Sequence, residues 1–96
     1  MLASGHRLND EGYALIGRGA YAAAIPPLRK AVVDLAGAGP TDPYEAYANY
    51  NLGYALMMSD RCTEALAPLE AADRLETSPA VDRALRAAHR CAPAGS

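Results

Sequence analysis

The sequence predicts an all-α domain made of two antiparallel helical hairpins and a closing helix. Three observations predict it. The chain repeats itself: Gly12-Tyr13-Ala14-Leu15 returns as Gly53-Tyr54-Ala55-Leu56, an offset of 41 that also carries Ala24 to Ala65, Pro27 to Pro68, Leu28 to Leu69 and Ala31 to Ala72. One offset matching so many positions marks a duplication. Within each copy, apolar residues recur at three- and four-residue spacing, and Val32-Val33 is the only adjacent β-branched pair. Finally, the chain has no Trp and no Phe, and alanine fills much of its apolar half, which favours close helix-on-helix packing over a sheet. At 96 residues it forms one domain, residues 1–96.

The first helix, about 4–17, carries Gly12, Leu15 and Ile16 at helical spacing and is broken by Gly17-Arg18-Gly19. The second, about 20–36, resumes with Tyr21, Ala24, Ile25, Leu28, Val32 and Leu35. It stops at Gly37-Ala38-Gly39-Pro40, with Gly just past the last apolar residue and Pro soon after. Asp42-Pro43-Tyr44-Glu45 opens the third, about 43–58: Asp42 caps, Pro43 suits the first position, and Glu45 stands where a capping box wants a carboxylate. Ser59-Asp60 turn the chain, with Asp60 as cap of the fourth helix, about 61–75. Thr77-Ser78-Pro79 opens the last, about 79–91, with Val81, Ala84, Leu85 and Ala88 on one stripe and Asp82, Arg83, Arg86 and Arg90 toward water. The tail from Pro93 to Ser96 is expected to be loose. Pro26-Pro27 and Pro68 fall inside the second helix of each unit, where each removes a hydrogen bond. Continued apolar spacing on both sides argues for a bent helix, and a longer loop is the competing account.

Bulk properties narrow the function. A formal charge of −2 gives no reason to expect nucleic acid or an anionic membrane as partner. Met1-Leu2-Ala3-Ser4 is followed at once by polar residues, so no signal peptide is expected, and no apolar run nears the roughly 18 residues that span a bilayer. Catalysis has no residues to carry it. His6 and His89 stand at opposite ends, no Ser or Cys has a base at a recognisable spacing, and no Gly-rich phosphate loop follows a strand. No cofactor is implied. Cys62, His89 and Cys91 match no usual zinc spacing and lack a fourth ligand, so no metal site is expected. Asp10-Glu11 read as solvated helix charges.

The stretch from Ala46 to Leu56, followed by Glu64-Ala65-Leu66, Leu69 and Ala72, resembles the tetratricopeptide repeat. The first unit fits through Leu8, Gly12, Leu15, Gly19, Tyr21, Ala24, Leu28 and Ala31, and together the two units and last helix cover nearly the whole chain. The resemblance implies that Gly53 and Ala65 let the two helices of a hairpin touch, that Ala72 lies where repeats pack, and that the whole is a right-handed α-solenoid fragment. The family period is about 34 residues. The extra length here falls between Val33 and Pro40, while Glu11, Asn49 and Cys62 depart from the usual residues. The Gly-Arg-Gly or Asp-Arg-Cys turn, the Ala-Ile-Pro-Pro-Leu or Ala-Leu-Ala-Pro-Leu second helix and the Cys-containing last helix are similar to repeat tails of some actinobacterial proteins, membrane-bound serine/threonine kinases among them.

Such an array presents the first helix of each unit on a concave face. That places Tyr47, Tyr50, Asn51, Tyr54, Met57 and Met58 on one side, adjoined by His6, Asn9, Tyr13 and Ile16. Tyrosines give contact area at low rotamer cost with a polar tip, and methionines add adaptable surface, as a peptide groove requires. The alternative is that these tyrosines pack as core. Cochaperone members of the family grip a C-terminal carboxylate with Lys, Arg and Asn; only Asn51 matches, so an apolar or neutral peptide is the expected ligand. The expected function is a protein–protein interaction module; a structural spacer that associates with copies of itself is the alternative. The array also brings the end of the last helix beside the turn before Cys62, which suggests a Cys62–Cys91 disulfide closing a separation of 29 residues, against two separate buried thiols in a reducing compartment. The compartment follows the cysteines: cytoplasmic for a complete chain, extracytoplasmic for a disulfide-bonded excised domain.

Overall fold

An apolar stripe on a helix needs a partner face, and here each helix finds one in its sequence neighbour. The computed structural model describes residues 2–93, the Pro40 side chain apart, and is all-helical, with no strand among those residues. The helices are α1 (Leu2–Gly17), α2 (Tyr21–Leu35), α3 (Tyr44–Met58), α4 (Cys62–Leu75) and α5 (Pro79–Cys91), with a 3-10 turn at Gly39–Thr41 between α2 and α3. Thus α1 begins two residues before the expected start; the expected loose tail at 94–96 lies outside the described residues. None of the helices is long and apolar enough to cross a membrane.

Three glycine notches set the helix pairs. A Cβ built on Gly5 would lie 2.6 Å from Leu35 Cγ, one on Gly12 would strike the Leu28 side chain, and one on Gly53 would lie 2.5 Å from Leu69 Cγ. Gly5 facing Leu35 and Gly12 facing Leu28 make α1 and α2 antiparallel. Leu28, Leu35 and Leu69 are the largest fully buried side chains, so the residues seated in the notches are the centre of the core. Burying each is worth about 1.5–3 kcal/mol. Ile25, Leu52, Leu56 and a layer of alanines from Ala24 to Ala88 complete the main cluster, while Ala31, Leu35 and Ala48 form a second one between α2 and α3.

The prolines do not end their helices. α2 runs unbroken through Pro26-Pro27 and α4 through Pro68, so the longer-loop account is excluded. Two helix starts differ from expectation. Asp42 Oδ1 accepts the Tyr44 N–H at 2.9 Å, as a cap should. Glu45, however, closes no capping box; its carboxylate accepts the Gly37 and Gly39 N–H groups at 3.1 and 2.8 Å, tying the α2–α3 loop to α3. Asp60 caps nothing: it takes φ +61, a left-handed turn conformation that Asp tolerates, and α4 starts after Arg61 without a side-chain cap. Ser78 does cap α5, its Oγ accepting the Val81 N–H at 3.2 Å, with Pro79 first in the helix.

Candidate functional site

α1 and α3 lie side by side, and the residues between them enclose a cleft of about 370 Å³. Its floor is polar. Asn9 and Asn51 are 4% and 7% exposed, and Asn51 Nδ2 donates to Asn9 Oδ1 at 3.0 Å. Buried amides require such pairing. That bond spends one donor and one acceptor; the Asn9 amide nitrogen and the Asn51 carbonyl oxygen have no other hydrogen-bond partner among the described residues, and both side chains line the cleft. Tyr13, Tyr44, Tyr47 and Tyr50 form the walls and Asp10 the rim. Tyr13 and Tyr47 are 65% and 45% exposed, large side chains held at a surface.

The walls are braced. Tyr44 packs against Tyr47 edge-on at 5.6 Å between centroids, and the His6 ring lies on Tyr44 at 4.1 Å. His6 Nε2 meets Asp42 Oδ2 at 2.7 Å, so the residue that caps α3 also anchors α1 to the loop. Asp42 is held below the ordinary carboxylate range, first by the Tyr44 N–H and then by His6. Tyr44 is pushed up, chiefly by the Asp10 carboxylate facing it and then by burial. Tyr50 is pushed up by burial first and by Tyr54 second.

Of the residues expected to form one groove, Asn9, Tyr13, Tyr47, Tyr50 and Asn51 do meet in this cleft. Three do not. Ile16 packs against the main core, because α1 turns that face toward the neighbouring helices. Tyr54 and Met57, one and two turns beyond Tyr50, instead border a separate cleft against α5 with Ala80, Arg83, Ala84 and Ala87, and Tyr54 meets Tyr21 edge-on at 6.1 Å. The two asparagines are floor, not exposed contacts. Asp10 and Tyr44 escaped the sequence reading; Asp10 stands three residues before Tyr13, the spacing that shares a helix face, and that was the available signal.

Comparison with family models, curated proteins and solved structures finds no match for this chain. The cleft's chemistry therefore has to be read from its own atoms. Tyr47 and Tyr50 are shared with a second cleft, opening toward α5, whose lining includes Glu76, Ser78 and Val81. The two tyrosines make a ridge between the two hollows. Neither hollow has a Lys, Arg or His in its lining. Cys62 and Cys91 are joined in a disulfide with Cα atoms 5.9 Å apart, fastening the end of α5 to the start of α4. Both sulfurs are committed to that bond, and no cluster of metal-ligating residues occurs among the described residues.

Proposed function

We propose that this chain is an interaction module of the tetratricopeptide type, a short right-handed α-solenoid fragment that binds an extended segment of a partner protein in the α1–α3 cleft. The duplication supports the family reading, with the same glycine notch receiving the same leucine in both hairpins, Gly12 with Leu28 and Gly53 with Leu69. One observation carries the binding reading: exposed aromatic walls, Tyr13 and Tyr47, stand over a buried amide pair that still offers N–H donors and a carbonyl acceptor. A peptide bond presents the complementary pair, a carbonyl and an N–H. Tyrosine walls give sequence-tolerant contact area, and the floor amides select for a main chain lying in extended form.

Tyr13 and Tyr47 are the side chains to remove, because their exposure keeps the core intact, whereas Tyr50 packs against the main cluster. Peptides selected from a random library against the full chain should lose at least about tenfold in affinity to the Tyr13→Ala/Tyr47→Ala variant, as aromatic anchors commonly do. Circular dichroism should be unchanged. Undiminished binding by that variant would remove the cleft from consideration.

A further inference from the structure

The cleft is aromatic and concave, and its lining carries one carboxylate, Asp10, and no cationic side chain. Asp10 is exposed at its rim and makes no ion pair among the described residues; Arg7, one turn earlier on α1, does not pair with it. The nearest imidazole, His6, is occupied with Asp42. Across the Tyr47–Tyr50 ridge the adjoining hollow repeats the pattern, with Glu76 as its only charged residue. Tyrosine faces are the negative poles of their ring quadrupoles, and a cation within about 6 Å of a ring centroid is attracted to them. A carboxylate beside such rings adds direct Coulomb attraction and disfavours an anionic or C-terminal carboxylate ligand.

We infer that the cleft takes a cationic side chain, arginine above lysine, from the partner segment, stacked among Tyr13, Tyr44 and Tyr47 with Asp10 as its counter-ion. Arginine is favoured because its flat guanidinium stacks on a ring face while its N–H groups reach a carboxylate, which an ammonium on a flexible stem does less well. The inference rests on the reading of this cleft as the partner site and replaces the neutral or apolar ligand expected from sequence alone. Asp10 is exposed, as a solvated helix charge is, and it also lines the cleft, where its carboxylate faces the Tyr44 hydroxyl and pushes that group up.

The probe is the set of peptides selected from a random library on the full chain, measured by calorimetry at low salt. The expected result is enrichment of Arg, then Lys, at one position. Exchanging that Arg for citrulline, its neutral isostere, should weaken binding about tenfold. Asp10→Asn should cost a similar factor, and the two losses should not multiply, because they remove one interaction. Peptides that depend on Tyr13 and Tyr47 but ignore the citrulline exchange would overturn the cation inference and leave the cleft standing. Citrulline-sensitive peptides indifferent to Asp10→Asn would overturn the counter-ion assignment. Peptides indifferent to Tyr13→Ala/Tyr47→Ala, or the recovery of none, would overturn both the inference and the cleft reading beneath it.

Discussion

At the scale of single residues, three glycines separate packing from propensity. A Cβ on Gly53 would meet Leu69 Cγ at 2.5 Å and the Ala65 backbone carbonyl at 3.3 Å; one on Gly12 would strike the Leu28 side chain; one on Gly17 would meet nothing within 4 Å. Overpacking costs about 1–3 kcal/mol, against about 1 kcal/mol gained by replacing Gly with Ala in a helix. Gly12→Ala and Gly53→Ala should therefore both lower the urea midpoint, Gly12→Ala at least as much because the fully buried Leu28 stands closer to it, and Gly17→Ala should raise it. A larger shift at residue 53 than at residue 12 would mean that the Ala65 carbonyl, and not the leucine, is the main obstacle. Charge can be tested at Asp42, whose folded pKa lies below the ordinary 3.8, first through the Tyr44 N–H and then through His6. A lowered carboxyl stabilises the fold above its ordinary pKa, and that contribution fades as pH falls through the lower folded value. Asp42→Asn should thus be less stable than the parent at neutral pH, with the gap closing below about pH 4. A gap that persists into acid would assign the loss to shape and not to charge. The notch residues were legible because the duplication shows them twice, whereas Asp10 was not: one carboxylate on an exposed helix looks solvated until a second helix is laid beside it.

At the scale of elements, α5 is the helix with the least to hold it. It buries Val81, Ala84 and Ala88, small side chains with little apolar area, and shows Asp82, Arg83, Arg86 and Arg90 to water. The Cys62–Cys91 bridge closes a 29-residue separation, for which loop-closure entropy gives roughly 3–4 kcal/mol. Cys62→Ser/Cys91→Ser should lose about that much stability, and hydrogen exchange should quicken in α5 well before α1, α2 or α3. Protection in α5 equal to that of the oxidised parent would show that packing alone secures the helix. Helix number and approximate bounds were readable from apolar spacing and from punctuation such as Gly37 and Ser78-Pro79. The mistakes sit where side chains choose between local partners. Glu45 could bond its own helix start or the Gly37 and Gly39 N–H groups, and only the path of the loop decides this. Asp60 looks like a cap by residue type, yet the tightness of the α3–α4 turn forces it to φ +61.

At the scale of the whole molecule, the question is whether the chain offers its surface to a different partner or to itself. The cleft was half legible: helical period placed Tyr47 and Tyr50 on one face, but the same period placed Tyr54 and Met57 there, and only the docking of α5 draws those two away. End-to-end stacking needs an apolar outer face at both ends. The outward side of α5 carries Asp82, Arg83, Arg86 and Arg90, and α1 exposes Arg7, Asp10 and Glu11. The exposed large apolar residues, Leu2, Tyr13, Val33, Tyr47 and Met58, come from three different helices, and of these only Tyr13 and Tyr47 border one cleft. A stable protein interface buries about 800 Å² on each partner, and charged, desolvated ends are poor material for that. Light scattering should therefore return the mass of a single 10.0 kDa chain over a wide concentration range. Addition of a cleft-binding peptide should raise the melting temperature by mass action without changing that mass. Growth of the scattering mass with concentration, abolished by charge reversal at Arg86 and Arg90 but not by Tyr13→Ala/Tyr47→Ala, would instead make the ends the functional surface and the chain a spacer.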